Sequence, residues 1–143
     1  MKVGVPKEIK QDEYRVAITP AGVREMSDHG HEVYIETTAG EGSSISDADY
    51  EAQGAKIVPD AAAVFEEGEM ILHVKELQAS EIEMLRPHHL LFTYLHLAPD
   101  PEQTRGLCQS GATCVAYETV EDSAGRLPLL APMSEIAGRI ATQ

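Results

Sequence analysis

The chain has 143 residues, of which 43% are hydrophobic and 24% charged, and its 24 acidic against 11 basic residues leave a formal charge of -13. Those values describe one ordinary globular domain able to bury a core. An acidic surplus without a Lys/Arg cluster argues against a phosphate-backbone binder, so no nucleic-acid partner is expected. No apolar stretch nears the roughly 18 to 20 residues of a membrane helix, and the opening Met-Lys-Val-Gly-Val-Pro-Lys-Glu has no apolar signal core, which predicts a cytoplasmic protein without a membrane partner.

Strand and helix patterns then alternate along the chain. Residues 2–5 alternate into a first strand and residues 15–18 give another extended piece, after which Thr19-Pro20 supplies an N-cap and a first-turn proline for a helix stopped by Gly30. Residues 31–36 read as a strand. Ser46 opens a short helix ended by Gly54, residues 55–58 are extended, and Asp60 and Gly68 bracket the next helix. Residues 70–74 and 90–95 are nearly continuous apolar runs, the pattern of parallel strands buried on both faces. Between them, Ser80 and Glu83 form a capping-box pattern ahead of Pro87. Asp100-Pro101 starts a helix expected to turn Leu107 and Cys108 inward and to end at Gly111, and residues 113–117 return as a strand. A tight turn at 123–126 leads into 127–132, too rich in proline for a central strand, and Ser134 is placed to cap a final helix running to Gln143.

This order predicts an α/β fold, a doubly wound and mostly parallel sheet with helices on both faces. The final helix reaches Gln143 without a glycine stop signal, so the chain is expected to be a piece of something longer. Cys108 and Cys114 fit neither a zinc knuckle nor a redox CxxC and are expected as reduced, buried thiols; no metal site is expected.

Three ionisable residues stand where apolar runs break off: Arg15 before Val-Ala-Ile-Thr-Pro, Lys75 after Met-Ile-Leu-His-Val, and His96 after Leu-Leu-Phe-Thr-Tyr-Leu. In an open α/β sheet the strand ends converge on the ligand crevice, so two fixed cations and a titratable imidazole suggest a site for a small carboxylic acid that also exchanges a proton. Taken singly, Lys75 also fits a lysine snorkelling to the surface, and Arg15 a surface arginine paired with Glu13 or Asp12. Residues 40–45, Gly-Glu-Gly-Ser-Ser-Ile, tempt a dinucleotide-loop reading, but Ile45 stands where the third glycine belongs, and a solvated turn is expected instead. His73 lies in a buried run and reads as a hydrogen-bonded core histidine, whereas His29, His31, His88 and His89 fall in loops or at helix ends and read as solvated.

These residues carry a resemblance. Lys2-Val-Gly-Val-Pro-Lys-Glu8 with Glu13-Tyr-Arg-Val-Ala-Ile-Thr-Pro-Ala-Gly-Val23 resembles the opening of the alanine dehydrogenase family, and the first domain of the proton-translocating nicotinamide nucleotide transhydrogenase starts similarly. The later segments Val74-Lys-Glu76, Leu91-Phe-Thr-Tyr-Leu-His-Leu-Ala98, Ala116-Tyr-Glu-Thr-Val120 and Leu127-Pro-Leu-Leu-Ala-Pro-Met-Ser-Glu135 are similar to alanine dehydrogenase and not to the transhydrogenase, which lacks the strand-end histidine.

The resemblance implies a Rossmann-like catalytic lobe and the NAD-dependent, reversible oxidative deamination of L-alanine to pyruvate and ammonium. It also implies that Arg15 and Lys75 contact the substrate carboxylate and carbonyl, that His96 is the acid/base, and that Ser134 contacts the cofactor at a domain junction. Members continue into a nucleotide-binding domain with a glycine fingerprint and a second catalytic aspartate, and they assemble as homo-oligomers, typically hexamers. On that basis residues 1–132 are expected to form the substrate lobe, residues 133–143 the start of a helix leading to a nucleotide domain absent from this chain, and the chain alone to be inactive. A transhydrogenase-like nucleotide-binding module serving a membrane partner and a non-catalytic interaction remnant are the alternatives.

Overall fold

The computed structural model describes residues 1–141. Six parallel strands form one sheet: β1 (Lys2–Val5), β2 (Glu32–Glu36), β3 (Lys56–Val58), β4 (Met70–Leu72), β5 (Leu90–Thr93) and β6 (Thr113–Ala116), in the spatial order β3-β2-β1-β4-β5-β6. The chain therefore winds outward from β1 in one direction and restarts at β4 in the other, placing a topological switch point between β1 and β4.

Alternation along the strands feeds a core on each side. Val3, Val5 and Leu72 join Val23 of α1 (Pro20–Asp28) and Tyr50 of α2 (Asp47–Glu51) in one cluster. Ile71 and Leu91 point the other way, toward Val64 and Phe65 of α3 (Ala61–Glu67) and Leu107 of α5 (Pro101–Ser110). The short α4 (Ala79–Ile82) packs beside α5, and α6 (Ala131–Ile140) follows β6. Helices thus pack on both faces, and the doubly wound parallel architecture is observed. Among the described residues no helix is long and apolar enough to cross a membrane.

The caps at Thr19, Ser46, Asp60 and Asp100 form as expected, each side chain accepting from a backbone N–H in the first helical turn. Other expectations need correction. Residues 15–18 form no strand: Val16 and Ala17 press against the core and Ile18 is buried, but no neighbouring strand offers a ladder. The capping box before Pro87 lies two residues earlier, on Gln78 and Glu81. The second and third apolar runs leave the sheet at Leu72 and Thr93, with His73, Val74, Tyr94 and Leu95 continuing as irregular backbone. Cys108 is exposed because the inner stripe of α5 runs through Gln103 and Leu107, and Cys114 is half-buried; both are free thiols. His89 is buried, its ring donating from Nε2 to Phe65 O at 2.9 Å and accepting at Nδ1 from the Arg86 N–H at 3.0 Å. The last helix starts at Ala131 with Pro132 in its first turn, so Ser134 lies inside it rather than capping it. The expected run of that helix to Gln143 ends in Thr142 and Gln143, which lie outside the described residues.

Candidate active site

The crevice past the carboxyl ends of β4 and β5, beside the switch point, holds a cleft of about 340 Å³. Arg15, Lys75 and His96 all line it, joined by Tyr94, Glu118 and Met133. Three residues separated by up to 81 positions of sequence therefore meet as strand-end reasoning expects, although Arg15 arrives on a loop rather than on a strand.

Lys75 follows β4, and its peptide is gripped on both sides. Its N–H donates to Glu8 Oε2 at 3.3 Å, and its carbonyl accepts from Thr93 Oγ1 at 2.7 Å and from His73 Nδ1 at 2.8 Å. Among the described residues the Lys75 ammonium makes no ion pair, whereas Lys10 beside it is paired with Glu76. A cation outside any direct ion pair, with Glu13 and Glu76 only near enough to feel its charge, is a natural anchor for an anion in the cleft it faces.

Arg15 is held by Glu13. The carboxylate accepts from Nε at 2.8 Å and from Nη2 at 2.5 Å, while Nη1 approaches Met133 Sδ at 3.2 Å. The surface pairing with Glu13 and the cleft position thus hold together rather than competing. The Arg15 hydrogen bonds and charge hold the Glu13 carboxyl down at about 2, despite partial burial, so Glu13 is ionised throughout the neutral range. This pairing fixes the guanidinium plane and leaves Nη1 toward the α6 side of the cleft.

His96 has an exposed side chain and a backbone φ of +47°, in the left-handed region that non-glycine residues seldom occupy. Its N–H donates to Glu118 Oε1 at 2.7 Å and the preceding Leu95 N–H to Glu118 Oε2 at 3.2 Å. The ring stays open to the cleft.

Beneath the cleft sits a buried charge cluster. His73, 1% exposed, lies 3.0 Å from Glu8 Oε1 through Nδ1 and 3.0 Å from Glu81 Oε1 through Nε2. Burial alone would push the imidazolium down, but the Glu81 hydrogen bond and the Glu8 charge outweigh it and the pKa is raised. Burial likewise pushes the Glu8 carboxyl up. His73 is the hydrogen-bonded core histidine its setting suggests.

Residues 40–45 make a 3-10 turn packed on the loop before α1. A Cβ on Gly42 would stand 2.5 Å from Tyr14 O, so this glycine serves close chain packing. Ser134 is exposed on α6, next to Met133, and the structure does not bring it into the cleft lining. Sequence reasoning missed Tyr94, Met133 and Glu118. Tyr94 stands two residues before His96, and Leu130, at the N-cap of α6, is three residues before Met133, so period-two and helical-spacing signals existed for them. Glu118 carried none, because a carboxylate that binds backbone amides belongs to no periodic pattern.

Residues 4–137 match the family model described as "Alanine dehydrogenase/PNT, N-terminal domain". The chain is 55% identical over its whole length to an alanine dehydrogenase of Halomonas elongata and 56% identical to one of Mycolicibacterium smegmatis, in each case spanning 38% of the relative's length. A solved L-alanine dehydrogenase superposes with a TM-score of 0.93 at 48% identity, over 98% of this chain and 38% of that one. A transhydrogenase from Sinorhizobium meliloti gives 0.78 at 30% identity, over 82% of this chain and 35% of its own. Residues 4–137 match the family model, the fold agrees, and the chain belongs to the alanine dehydrogenase/PNT N-terminal domain family.

Proposed function

We propose that this chain is the substrate lobe of an NAD-dependent alanine dehydrogenase, which interconverts L-alanine with pyruvate and ammonium. The observation that carries this reading is the convergence of Arg15, Lys75 and His96 on one cleft sized for a small acid. Arg15 would hold the substrate carboxylate through the donors Glu13 leaves open, fixing the α-carbon. The unpaired Lys75 ammonium would face the carbonyl oxygen and stabilise negative charge growing there. His96 would accept and return protons at the substrate nitrogen and oxygen as carbinolamine and imine interconvert. Tyr94, whose hydroxyl donates to Leu129 O at 2.5 Å, ties the cleft wall to the segment before α6.

NAD, when bound, supplies the hydride acceptor. The described residues offer it the exposed Ser134 hydroxyl beside the Met133 wall. The bulk of the dinucleotide would be held by sequence of the kind that fills the rest of the relatives' length. In this reading residues 1–132 are the substrate lobe and 133–143 begin the connection to a nucleotide domain, the whole enzyme is a cytoplasmic homo-oligomer, and the 143-residue chain alone turns over no alanine.

The test joins this chain to the remainder of the Halomonas elongata relative and follows NADH consumption with pyruvate and ammonium. Activity is expected, with Arg15→Lys raising the pyruvate KM and His96→Asn lowering kcat by about 10²-fold or more. A folded but inert chimera, or turnover by the unjoined chain, would count against the reading. The likeness to the transhydrogenase sustains a second reading, a nucleotide-binding module without substrate chemistry. Pyruvate titrated into the chain while the His96 ring resonances are followed separates the two, since only a substrate lobe shifts them.

A further inference from the structure

The two strand ends that deliver Lys75 and His96 are built alike. After β4, the Val74 N–H donates to Glu8 Oε1 at 2.6 Å and the Lys75 N–H to Glu8 Oε2 at 3.3 Å. After β5, the Leu95 N–H donates to Glu118 Oε2 at 3.2 Å and the His96 N–H to Glu118 Oε1 at 2.7 Å. In both places a carboxylate distant in sequence takes two successive amides, one on each oxygen, and the second amide belongs to the residue whose side chain enters the cleft.

The chemistry of that arrangement is specific. Two N–H groups aimed at one side chain need a group that only accepts and has two oxygens, which a glutamine amide cannot provide because its nitrogen donates. The neighbouring carbonyls are tied as well, Lys75 O by Thr93 and His73 and Leu95 O by Gln103 Nε2 at 2.9 Å. Each strand end is therefore fixed in both its donor and its acceptor groups. At His96 the fixing has further work, since a left-handed backbone persists only where its surroundings determine it. Glu8 is buried under the cleft, and although Glu118 lines the cleft, both its oxygens are turned to the amides.

We propose that Glu8 and Glu118 are positioning residues, each fixing through a pair of amides the strand-end backbone from which Lys75 and His96 reach the substrate. The proposal rests on the roles given above to Lys75 and His96. Glu8 acts through Lys75, and Glu118 acts through His96.

Double-mutant cycles in the chimeric enzyme test it. Glu8→Gln is expected to lower kcat/KM for pyruvate by about tenfold or more alone, but by less than about threefold in a Lys75→Ala background. Glu118→Gln should lower kcat by about tenfold or more alone, and by less than about threefold beside His96→Asn. Where a background rate is too low to read, pyruvate affinity by titration calorimetry replaces turnover with the same limits. Losses that simply multiply, or glutamine variants with unchanged kinetics, overturn the proposal; multiplying losses at Glu118 would mean that it touches substrate itself. If Lys75→Ala and His96→Asn leave turnover intact, the functional reading fails instead, which is a separate result. Circular dichroism melts check folding, and should Glu8→Gln not fold, Thr93→Val tests the same Lys75 peptide from its carbonyl side, with Thr93→Ser expected to restore the rate.

Discussion

Strands β4 to β6 show two unlike faces. On one, Leu91 is fully buried against Val64, Phe65 and Leu107, beneath α3 and α5. On the other, one residue along, Phe92 is only half-buried, in a shallow groove shared with Met26 and Tyr117, and its register partner Val115 is 37% exposed. The strands are the same and the composition is apolar on both sides. The difference lies in what the chain lays over them. A buried-run pattern reports that a strand lacks polar residues, not that both of its faces are covered.

The largest effect should come where the strands end in charge. His73→Leu would leave Glu8 and Glu81 buried without their partner, and about 3 to 5 kcal/mol of stability should vanish in urea denaturation. Because folding raises the His73 pKa above its ordinary 6.5, its stabilisation is complete below that pH and is lost as pH rises through the folded value. The wild-type melting temperature should therefore fall on the alkaline side of 6.5, and the difference from His73→Leu should shrink with it. A pH-independent difference would show that the cluster is not held as an ion.

The two faces themselves are separated by truncation. Leu91→Ala should cost about 2 to 5 kcal/mol through lost burial and an unfilled cavity. Val115→Ala, on the bare face of the neighbouring strand, should cost well under half of that in the same titration, and equal losses would break the comparison.

A smaller effect belongs to the rim. Glu13, held down to about 2, contributes stability that is present above its ordinary 4.5 and disappears as pH falls from there through 2. The pair is partly solvated through Arg15, so Glu13→Gln should cost no more than about 1 kcal/mol at neutral pH. The gap between the two melting curves should close on acidification. The smallest effect is expected on α6, where no residue is buried and Ile136 is 51% exposed. Ile136→Ala should change stability by about 0.5 kcal/mol or less in the 143-residue chain, and amide exchange there should run far ahead of β5.

What the sequence made legible follows the range of the forces involved. Thr19-Pro20, Asp60 and Asp100-Pro101 mark helix starts because a cap is a contact within three residues. Arg15, Lys75 and His96 could be singled out because apolar runs stop beside them, and strand ends of this fold class meet. The extended stretch 15–18 misled, since a loop pressed on a core shows the same alternation as a strand while the ladder that defines a strand is supplied by another segment. The capping box at Gln78 was displaced because Glu81 faces both Gln78 N–H and His73, a partner eight residues away. Glu8 and Glu118 stayed invisible for the same reason, since their donors are main-chain groups brought up by folding alone.

With His96 as the proposed acid/base, its left-handed backbone couples the identity of that residue to more than proton transfer. An alanine at φ +47° carries a conformational cost of about 1 to 2 kcal/mol that an asparagine largely escapes, because a short polar side chain can bond to the local backbone. Removing the imidazole with alanine would thus release two things at once, a proton carrier and a bend in the chain. Asparagine or glycine at this position would keep the bend and lose the imidazole. A lineage that abandoned catalysis could therefore preserve the outline of the cleft almost unchanged, and shape alone would not distinguish the working lobe from its silent descendant.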